Sequence, residues 1–462
     1  MAKRLPTVLG PLLFAATMLL PLPADLAPAA RATLAITAWM ATWWVSDAVP
    51  MAVTALLPTL LFPLCGVLDA RATAKAYAHP MLFLFLGGFL VAKAMETVDL
   101  HRRIALGIVL RLGGSPARVL LGFIVATAAL SAWISNTATT VLMAPLAVAT
   151  ASYLGLDERG RPASLPLLLG VAYAASIGGL ATVIGTPTNG IYASVLSERY
   201  GTEVGFAEWL RVGAPVVAVL LVALYVYLSR VSGLHFRKTG DALQQVRRAY
   251  GRLGRISGEE RRVLVVFVAM ALAWSLRPLY EDFVPISDAG IGVLGATALF
   301  VLPGGRPNGR LLDWPTASTV PWGVLLLFAG GLALAAGFGE SGLAAYLGQK
   351  LTVIGELPLP IVLLILVAFV NFLTEVTSNV ATASVLLPVV AEMAEGTGHD
   401  PAVLMAAATL AASCAFMLPV ATAPNAIVFG SGELTVGHMA RRGFWLNVIS
   451  IVAIAAWMWV LA

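Results

Sequence analysis

The sequence predicts an all-α polytopic membrane protein. It reads as about eleven transmembrane helices plus two re-entrant hairpins, arranged as an inverted-topology repeat. Three observations predict this. The 462 residues are 59% hydrophobic and only 11% charged, with mean hydropathy +0.88, whereas a soluble chain carries about 25% charged residues. Charge-free runs of about 18 residues or more, the length of a spanning helix, recur along the chain. The second half repeats motifs of the first at nearly one offset. A β-barrel is excluded, because its strands alternate polar and apolar residues over about 10 positions.

The elements follow in order. A first span, 7–23, has Lys3 and Arg4 before it. With "APAA" (Ala27–Ala30) behind it, this segment resembles a signal peptide, but the topology needs it as a retained helix. Spans 32–48 and 50–68 meet at "SDAVP", and span 80–97 precedes an amphipathic piece, "DLHRRIALGIVLRLGG". A polar-centred run at 119–153 follows, then a long run at 163–197 and a span at 211–229. Next comes a basic loop. The pattern then restarts with spans 263–281, 287–303 and 321–339 and an amphipathic piece "LAAYLGQKLTVIGELP". A second polar-centred run at 359–394, a long run at 401–432 and a span at 443–461 complete the chain. The units are thus an N-terminal helix (1–31), a first repeat (32–230), a basic cytoplasmic loop (231–262) and a second repeat (263–462).

The repeat is checked by subtraction. Gly87 and Gly330, Ser135 and Ser378, and Pro145 and Pro388 are each 243 residues apart. "GTPTN", ending at Asn189, matches "ATAPN", ending at Asn425, at offset 236, and "SDA" recurs at Ser46 and Ser287. Ordered matches at nearly one offset indicate duplication. Five crossings separate matching elements if the polar-centred runs do not cross, and an odd number inverts the second copy. That is the plan of secondary transporters, with the site near the midplane between the repeats. Basic residues support it. With the N-terminus cytoplasmic, 21 of the 29 Lys and Arg fall inside and seven outside, with Lys93 in a span. The inside set includes Arg159 and Arg161. Eleven crossings put the C-terminus outside a plasma (inner) membrane.

Residues 119–156 carry no charge, yet Ser135, Asn136, Thr137, Thr139 and Thr140 sit near their centre. Only 12 residues, Val119–Leu130, precede the polar patch, against about 20 for a full span. Each arm therefore reads as a half-length helix and the patch as a hairpin tip. Non-helical backbone at depth needs protein or a water-filled cavity around it. The runs 163–197 and 401–432 contain "GTPTN" (Gly185–Asn189) and "TAPN" (Thr422–Asn425). Proline removes an N–H donor and interrupts a helix. Broken helices place half-helix N-termini and free carbonyls at the midplane. The inventory is Ser, Asn, Thr, Gly and Pro twice over, without Arg or Lys. It suits an anion held by dipoles, amides, hydroxyls and co-bound cations.

The paired "SNT" and "SNV" tips with "TPTN" and "TAPN", and the stretches "SDAVPMAVTALLP" and "PWGVLLLFAGGLALA", resemble the divalent anion/sodium symporter family over nearly the whole chain. The resemblance implies a transporter, not an enzyme. Its substrate would be a di- or tricarboxylate of the succinate, malate, fumarate or citrate kind, coupled to Na+ in two or more sites. A sodium-independent exchanger or a sulfate transporter of the same fold stays open. It also implies a homodimer with a scaffold domain and an elevator-like transport domain. By motif, one sodium site draws on Ser131, Ser135, Asn136 and the backbone at Gly185. The other draws on Thr374, Asn379 and the backbone at Thr377 and Ala421. Asn136, Thr137, Ser378 and Asn379 would face the carboxylates, with Thr186, Pro187 and Thr422 beside them. Val380 departs from the pattern, offering no hydroxyl where Thr137 does.

Other features read more plainly. Cys65 and Cys414 are isolated core thiols without metal spacing. The five histidines are scattered over span ends and loops. Gly87–Gly88 and Gly330–Gly331 mark close packing. Lys93 and Glu96 share a helix face and pair with each other. Glu375, three residues before Ser378, either tunes the second cation site or bonds the tip backbone. No Gly-x-Ser-x-Gly elbow and no nucleotide-binding Gly-x-x-x-x-Gly-Lys loop is present, and the net charge of +5 follows from one-sided loops rather than nucleic-acid binding.

Overall fold

A computed structural model describes residues 4–20, 23, 25–154, 164–231, 240–307, 309–355 and 357–462. Among these the secondary structure is helical, apart from one isolated bridge between Pro303 and Arg310. Lys3, Arg159 and Arg161, used for the topology, lie outside the described residues, as do 232–239 of the basic segment.

Most expected spans appear with shifted ends: Arg4–Leu19, Pro28–Ser46, Pro80–Thr97, Phe206–Val231, Gly258–Leu276, Asp288–Val301, Trp322–Glu340 and Val436–Leu461. The 50–68 span is not one helix. It breaks into Met51–Thr54 and Leu57–Leu64, with Pro58 at the start of the second piece. Proline lacks the N–H that would carry the helix across that point. Six helices among the described residues are long and apolar enough to cross a membrane alone.

The basic segment is not all loop. Gly240–Arg252 is a helix. Leu243, Val246 and Tyr250 share one face, and Val246 is buried against the body of the protein. The junction behind it is clamped. Arg103 Nε donates to Glu260 Oε1 at 2.7 Å, and Arg103 Nη1 donates to the Gly254 carbonyl at 2.9 Å. Ser257 and Glu260 form a reciprocal capping box at the start of the following helix.

The two polar-centred runs and the two long runs are each a pair of helices separated by a break. We label these α1 (Pro116–Ser131), α2 (Asn136–Leu154), α3 (Ser164–Gly179), α4 (Pro187–Tyr200), α5 (Leu359–Thr374), α6 (Asn379–Thr397), α7 (Pro401–Ala412) and α8 (Ala423–Phe429). Against the arms of about 12 residues expected from the sequence, α1 and α5 are longer, at 16 residues each, though still short of about 20 for a full span. The departure is larger for α2 and α6, which have 19 residues each. The polar tip residues are themselves helical there, as Thr140 Oγ1 donates back to the Asn136 carbonyl at 2.7 Å. All 16 residues of α3 are buried, as expected of a helix that is apolar all round. This helix and α7 form the centre of the molecule.

The duplication is visible in packing. A methyl group added to Gly87 would lie 2.6 Å from the Gly292 carbonyl oxygen. One added to its repeat mate Gly330 would lie 2.6 Å from Ala55 Cβ. The same tight crossing is made twice, with the halves exchanged. Asp69 and Asp313, 244 apart in sequence, accept from the backbone N–H three residues on, at 2.7 and 3.0 Å. Lys93 Nζ meets Glu96 Oε2 at 3.0 Å, the mutual pair expected.

Gly87→Val and Gly330→Val are each expected to destabilise the fold by about 1–3 kcal/mol through overpacking of backbone that cannot yield. A thermal melt of the purified proteins in detergent checks this, with unchanged melting temperatures as the contrary result.

Candidate functional site

Each break is held by one asparagine. Asn189 Nδ2, one turn into α4, donates to the Gly179 carbonyl at 3.1 Å and the Thr182 carbonyl at 2.8 Å. Asn425 Nδ2 donates to the Ala415 carbonyl at 3.1 Å and the Leu418 carbonyl at 3.0 Å. Donor and acceptors are all 236 residues apart, so one hydrogen-bond pattern is built twice. It gives partners to the Gly179 and Ala415 carbonyls where the helices stop, and adds a second bond to the Thr182 and Leu418 carbonyls, which also accept from Gly185 N and Ala421 N.

The tips are tied to the breaks in the same duplicated way. Ser131 Oγ lies 2.6 Å from Asn136 Oδ1 and 2.7 Å from the Ala175 carbonyl oxygen. Thr374 Oγ1 lies 2.7 Å from Asn379 Oδ1 and 2.7 Å from the Ala412 carbonyl oxygen. One hydroxyl proton thus faces two acceptor oxygens in each cluster. A surplus of oxygen lone pairs is the donor chemistry of a hard cation such as sodium. Gly179 keeps the first cluster open. A methyl there would lie 2.7 Å from Asn136 Oδ1 and 3.1 Å from the Gly185 carbonyl oxygen. These residues fit a small monovalent cation.

The two tips and two breaks converge on a cavity of about 830 Å³. Ser135, Asn136, Thr137, Gly185, Thr186, Pro187, Thr377, Ser378, Asn379, Val380, Ala421 and Thr422 line it. Of the residues expected from the motifs, Ser131 and Thr374 do not reach the wall. They sit behind it, against Asn136 and Asn379. Helices α2, α4, α6 and α8 begin at the cavity, and α1, α3, α5 and α7 end beside it. N-terminal ends favour anions and C-terminal ends favour cations. The arrangement therefore offers adjacent places for each sign of charge.

Sequence reasoning missed the facing wall. Trp44, Ser46, Asp47, Met51 and Phe89 line the cavity. "SDAVP" marked a span junction, and its recurrence marked the repeat, but nothing in it signalled a cavity. Asp47 has φ +47°, an uncommon backbone conformation for a residue other than glycine. Among the described lining residues it carries the one ionisable side chain.

Of the two roles expected for Glu375, bonding of its own tip backbone is not what the structure shows. Glu375 does not line the cavity. Oε1 accepts from Phe416 N, Met417 N and Asn447 Nδ2 at 2.7–2.8 Å, and Oε2 accepts from Leu418 N at 3.0 Å. The carboxylate pairs three consecutive N–H groups of the α7–α8 break. In the first repeat Ala132 occupies the matching position. There Thr182 Oγ1 donates to the Ala132 carbonyl at 2.5 Å, so the brace runs in the opposite sense.

With this geometry in place, comparison with known proteins is decisive. The family described as the sodium:sulfate symporter transmembrane region matches residues 2–462. The chain belongs to that family. It is the divalent anion/sodium symporter group that the motifs resemble. The chain is 43% identical to the sodium-dependent dicarboxylate transporter SdcS of Staphylococcus saprophyticus, with 97% of this chain and 89% of that one aligned. It is 42% identical, over the same shares, to the protein of that name from Staphylococcus aureus. Among solved structures, Neisseria gonorrhoeae MtrF is similar at TM-score 0.58 and 15% identity, covering 98% of this chain and 94% of that one. The Alcanivorax borkumensis YdaH transporter is similar at TM-score 0.58 and 17% identity, covering 87% and 89%. These two likenesses concern the fold alone. The family is one of transporters, not enzymes.

Glu375→Ala is expected to lower stability by about 3 kcal/mol or more, since it leaves several buried N–H groups unpaired. Asn136→Ala, which keeps the fold bracing intact, is expected to melt within a few degrees of wild type. Thermal melts distinguish the two; equal melting temperatures for Glu375→Ala and wild type would refute the bracing role.

Proposed function

We propose that this protein is a secondary active transporter of small dicarboxylates, of the succinate, malate and fumarate class, moved together with sodium. One observation carries the reading. The cavity gathers hydroxyls, amides and helix N-termini from two repeats, with no Arg, Lys or His among its described lining residues. The names of its relatives agree with it.

Charge explains why sodium would accompany the anion. A dicarboxylate brings about two negative charges to the cavity. No basic side chain among its described lining residues offsets them. Leaving charge uncompensated away from water is costly, so co-bound cations must supply the balance. Asn136, Thr137, Thr186 and Pro187 from one repeat, and Ser378, Asn379, Val380 and Thr422 from the other, would hold the carboxylates. The oxygen clusters at Ser131, Ser135, Asn136 and Gly185, and at Thr374, Thr377, Asn379 and Ala421, would take one sodium each. Asn136 and Asn379 touch each kind of ligand in this scheme. Anion and cations therefore stabilise one another's binding.

The same reading covers the architecture. In it α1–α2 and α5–α6 are re-entrant hairpins, and about eleven helices cross the inner membrane with the N-terminus cytoplasmic and the C-terminus outside. The repeats at 32–230 and 263–462 supply scaffold spans and a moving part, which carries the site across as an elevator within a homodimer. The segment at 231–262 would lie on the cytoplasmic side.

Reconstituted proteoliposomes test the proposal. Labelled succinate uptake is expected to require an inward sodium gradient and to be competed by malate more strongly than by citrate or sulfate. Uptake indifferent to sodium but dependent on internal dicarboxylate would overturn coupling in favour of exchange, and competition by sulfate alone would overturn the substrate class. Asn136→Ala and Asn379→Ala are each expected to reduce uptake at least about tenfold, the effect of losing about 1.4 kcal/mol of binding. Wild-type rates in either would refute the site. Gly179→Ala should raise the half-saturating sodium concentration by a similar factor, because its methyl intrudes on Asn136 Oδ1 and the Gly185 carbonyl.

A further inference from the structure

Ser176 stands out once the two repeats are overlaid. It sits in the last turn of α3, is 2% exposed, and lines the cavity. Its Oγ is buried and has no hydrogen-bond partner. Thr54, Thr127 and Thr139 share this state but are not among the described residues lining the cavity, while other helical hydroxyls donate to the carbonyl four residues back. Thr37 does so to Thr33, Thr140 to Asn136 and Thr409 to Met405. Ser176 does not use this local partner. A buried hydroxyl without a partner is destabilising, so its lone pairs await a ligand.

The repeat mate of Ser176 behaves differently. Ala175 and Ala412 hold the matched carbonyls of the two oxygen clusters, and the same offset pairs Ser176 with Ser413. Ser413 Oγ is engaged with Thr188 Oγ1 at 2.7 Å. It is not among the residues lining the cavity. The first repeat therefore has a free oxygen beside its cluster, and the second has used its own.

The sign of the ligand follows from position. Ser176 is next to Ala175, whose carbonyl meets Ser131 Oγ, and three residues before Gly179, which faces Asn136 Oδ1 and the Gly185 carbonyl. This is the C-terminal end of α3, where helix carbonyls accumulate negative partial charge. An oxygen there favours a cation rather than a carboxylate.

We propose that Ser176 Oγ is an additional ligand of the first sodium site, and that the two sites are unequal because Ser413 cannot play the same part in the second. This inference rests on the sodium-coupled reading above. In the first site Ser176 adds an oxygen to those of Ser131, Ser135, Asn136 and Gly185.

The test is the sodium dependence of succinate uptake in proteoliposomes. Ser176→Ala is expected to raise the half-saturating sodium concentration about tenfold, which corresponds to about 1.4 kcal/mol. The succinate KM at saturating sodium should stay within about twofold. Ser176→Cys keeps the packing and removes the hard oxygen, so it should give the same shift if alanine disturbs the helix. Ser413→Ala should change sodium half-saturation less than about twofold. Binding has its own readout: the rise in melting temperature on adding sodium to purified protein should be smaller in Ser176→Ala than in wild type. Unchanged sodium half-saturation in both Ser176 variants would overturn the assignment, as would a shift confined to the succinate KM. Wild-type uptake that ignores sodium would instead sink the transport reading on which the assignment rests.

Discussion

The structure depends on the pairing of backbone groups that its broken helices leave open. In a membrane such groups find no water, so the protein must satisfy them itself. Asn189 and Asn425 do this for carbonyls, and Glu375 does it for three N–H groups. Without these bonds α3–α4 and α7–α8 could not remain interrupted at the centre of the molecule. With them, helix ends are delivered to the cavity as fixed partial charges. The bracing residues lie outside the cavity wall, and the residues they hold in place form it.

A cavity lined by helix ends and, apart from Asp47, by neutral side chains has a consequence for the function proposed above. In the proposed scheme its charge is adjustable, because the cations that balance the anion are themselves bound and released. A fixed Arg or Lys would remain after the anion left and would itself have to be neutralised or desolvated. In that scheme the alternation of N- and C-terminal ends around one cavity keeps anion and cation positions close, with Asn136 and Asn379 where the two meet.

The two halves share a hydrogen-bond plan but not every means of achieving it. Thr182 braces the first tip with a hydroxyl, and Glu375 braces the second break with a carboxylate. Gly179 is matched by Ala415, Thr137 by Val380, and the unpaired Ser176 by the engaged Ser413. Duplication set the frame. The local differences make the two halves of the cavity inequivalent.

Much of this was legible in the sequence. Hydropathy determined the helical membrane class, because sparse charge cannot cover a soluble surface. Subtraction of motif positions determined the repeat, because hydrogen-bonded tips and breaks constrain Ser, Asn, Thr, Gly and Pro at fixed spacing. Twelve of the motif residues line the cavity because these motifs describe local backbone geometry, which sequence encodes directly. The tertiary structure alone decided the rest. The facing wall at Trp44 and Asp47 comes from helices remote in sequence, with no pattern linking them to the tips. The role of Glu375 depends on a break 41 residues away. The lengths of α2 and α6, and the helix at Gly240–Arg252, were hidden because polar or basic residues obscure a helical period that packing completes. Whether a given hydroxyl is free or engaged, as in Ser176 and Ser413, is a matter of distance across the fold, which residue identity does not carry.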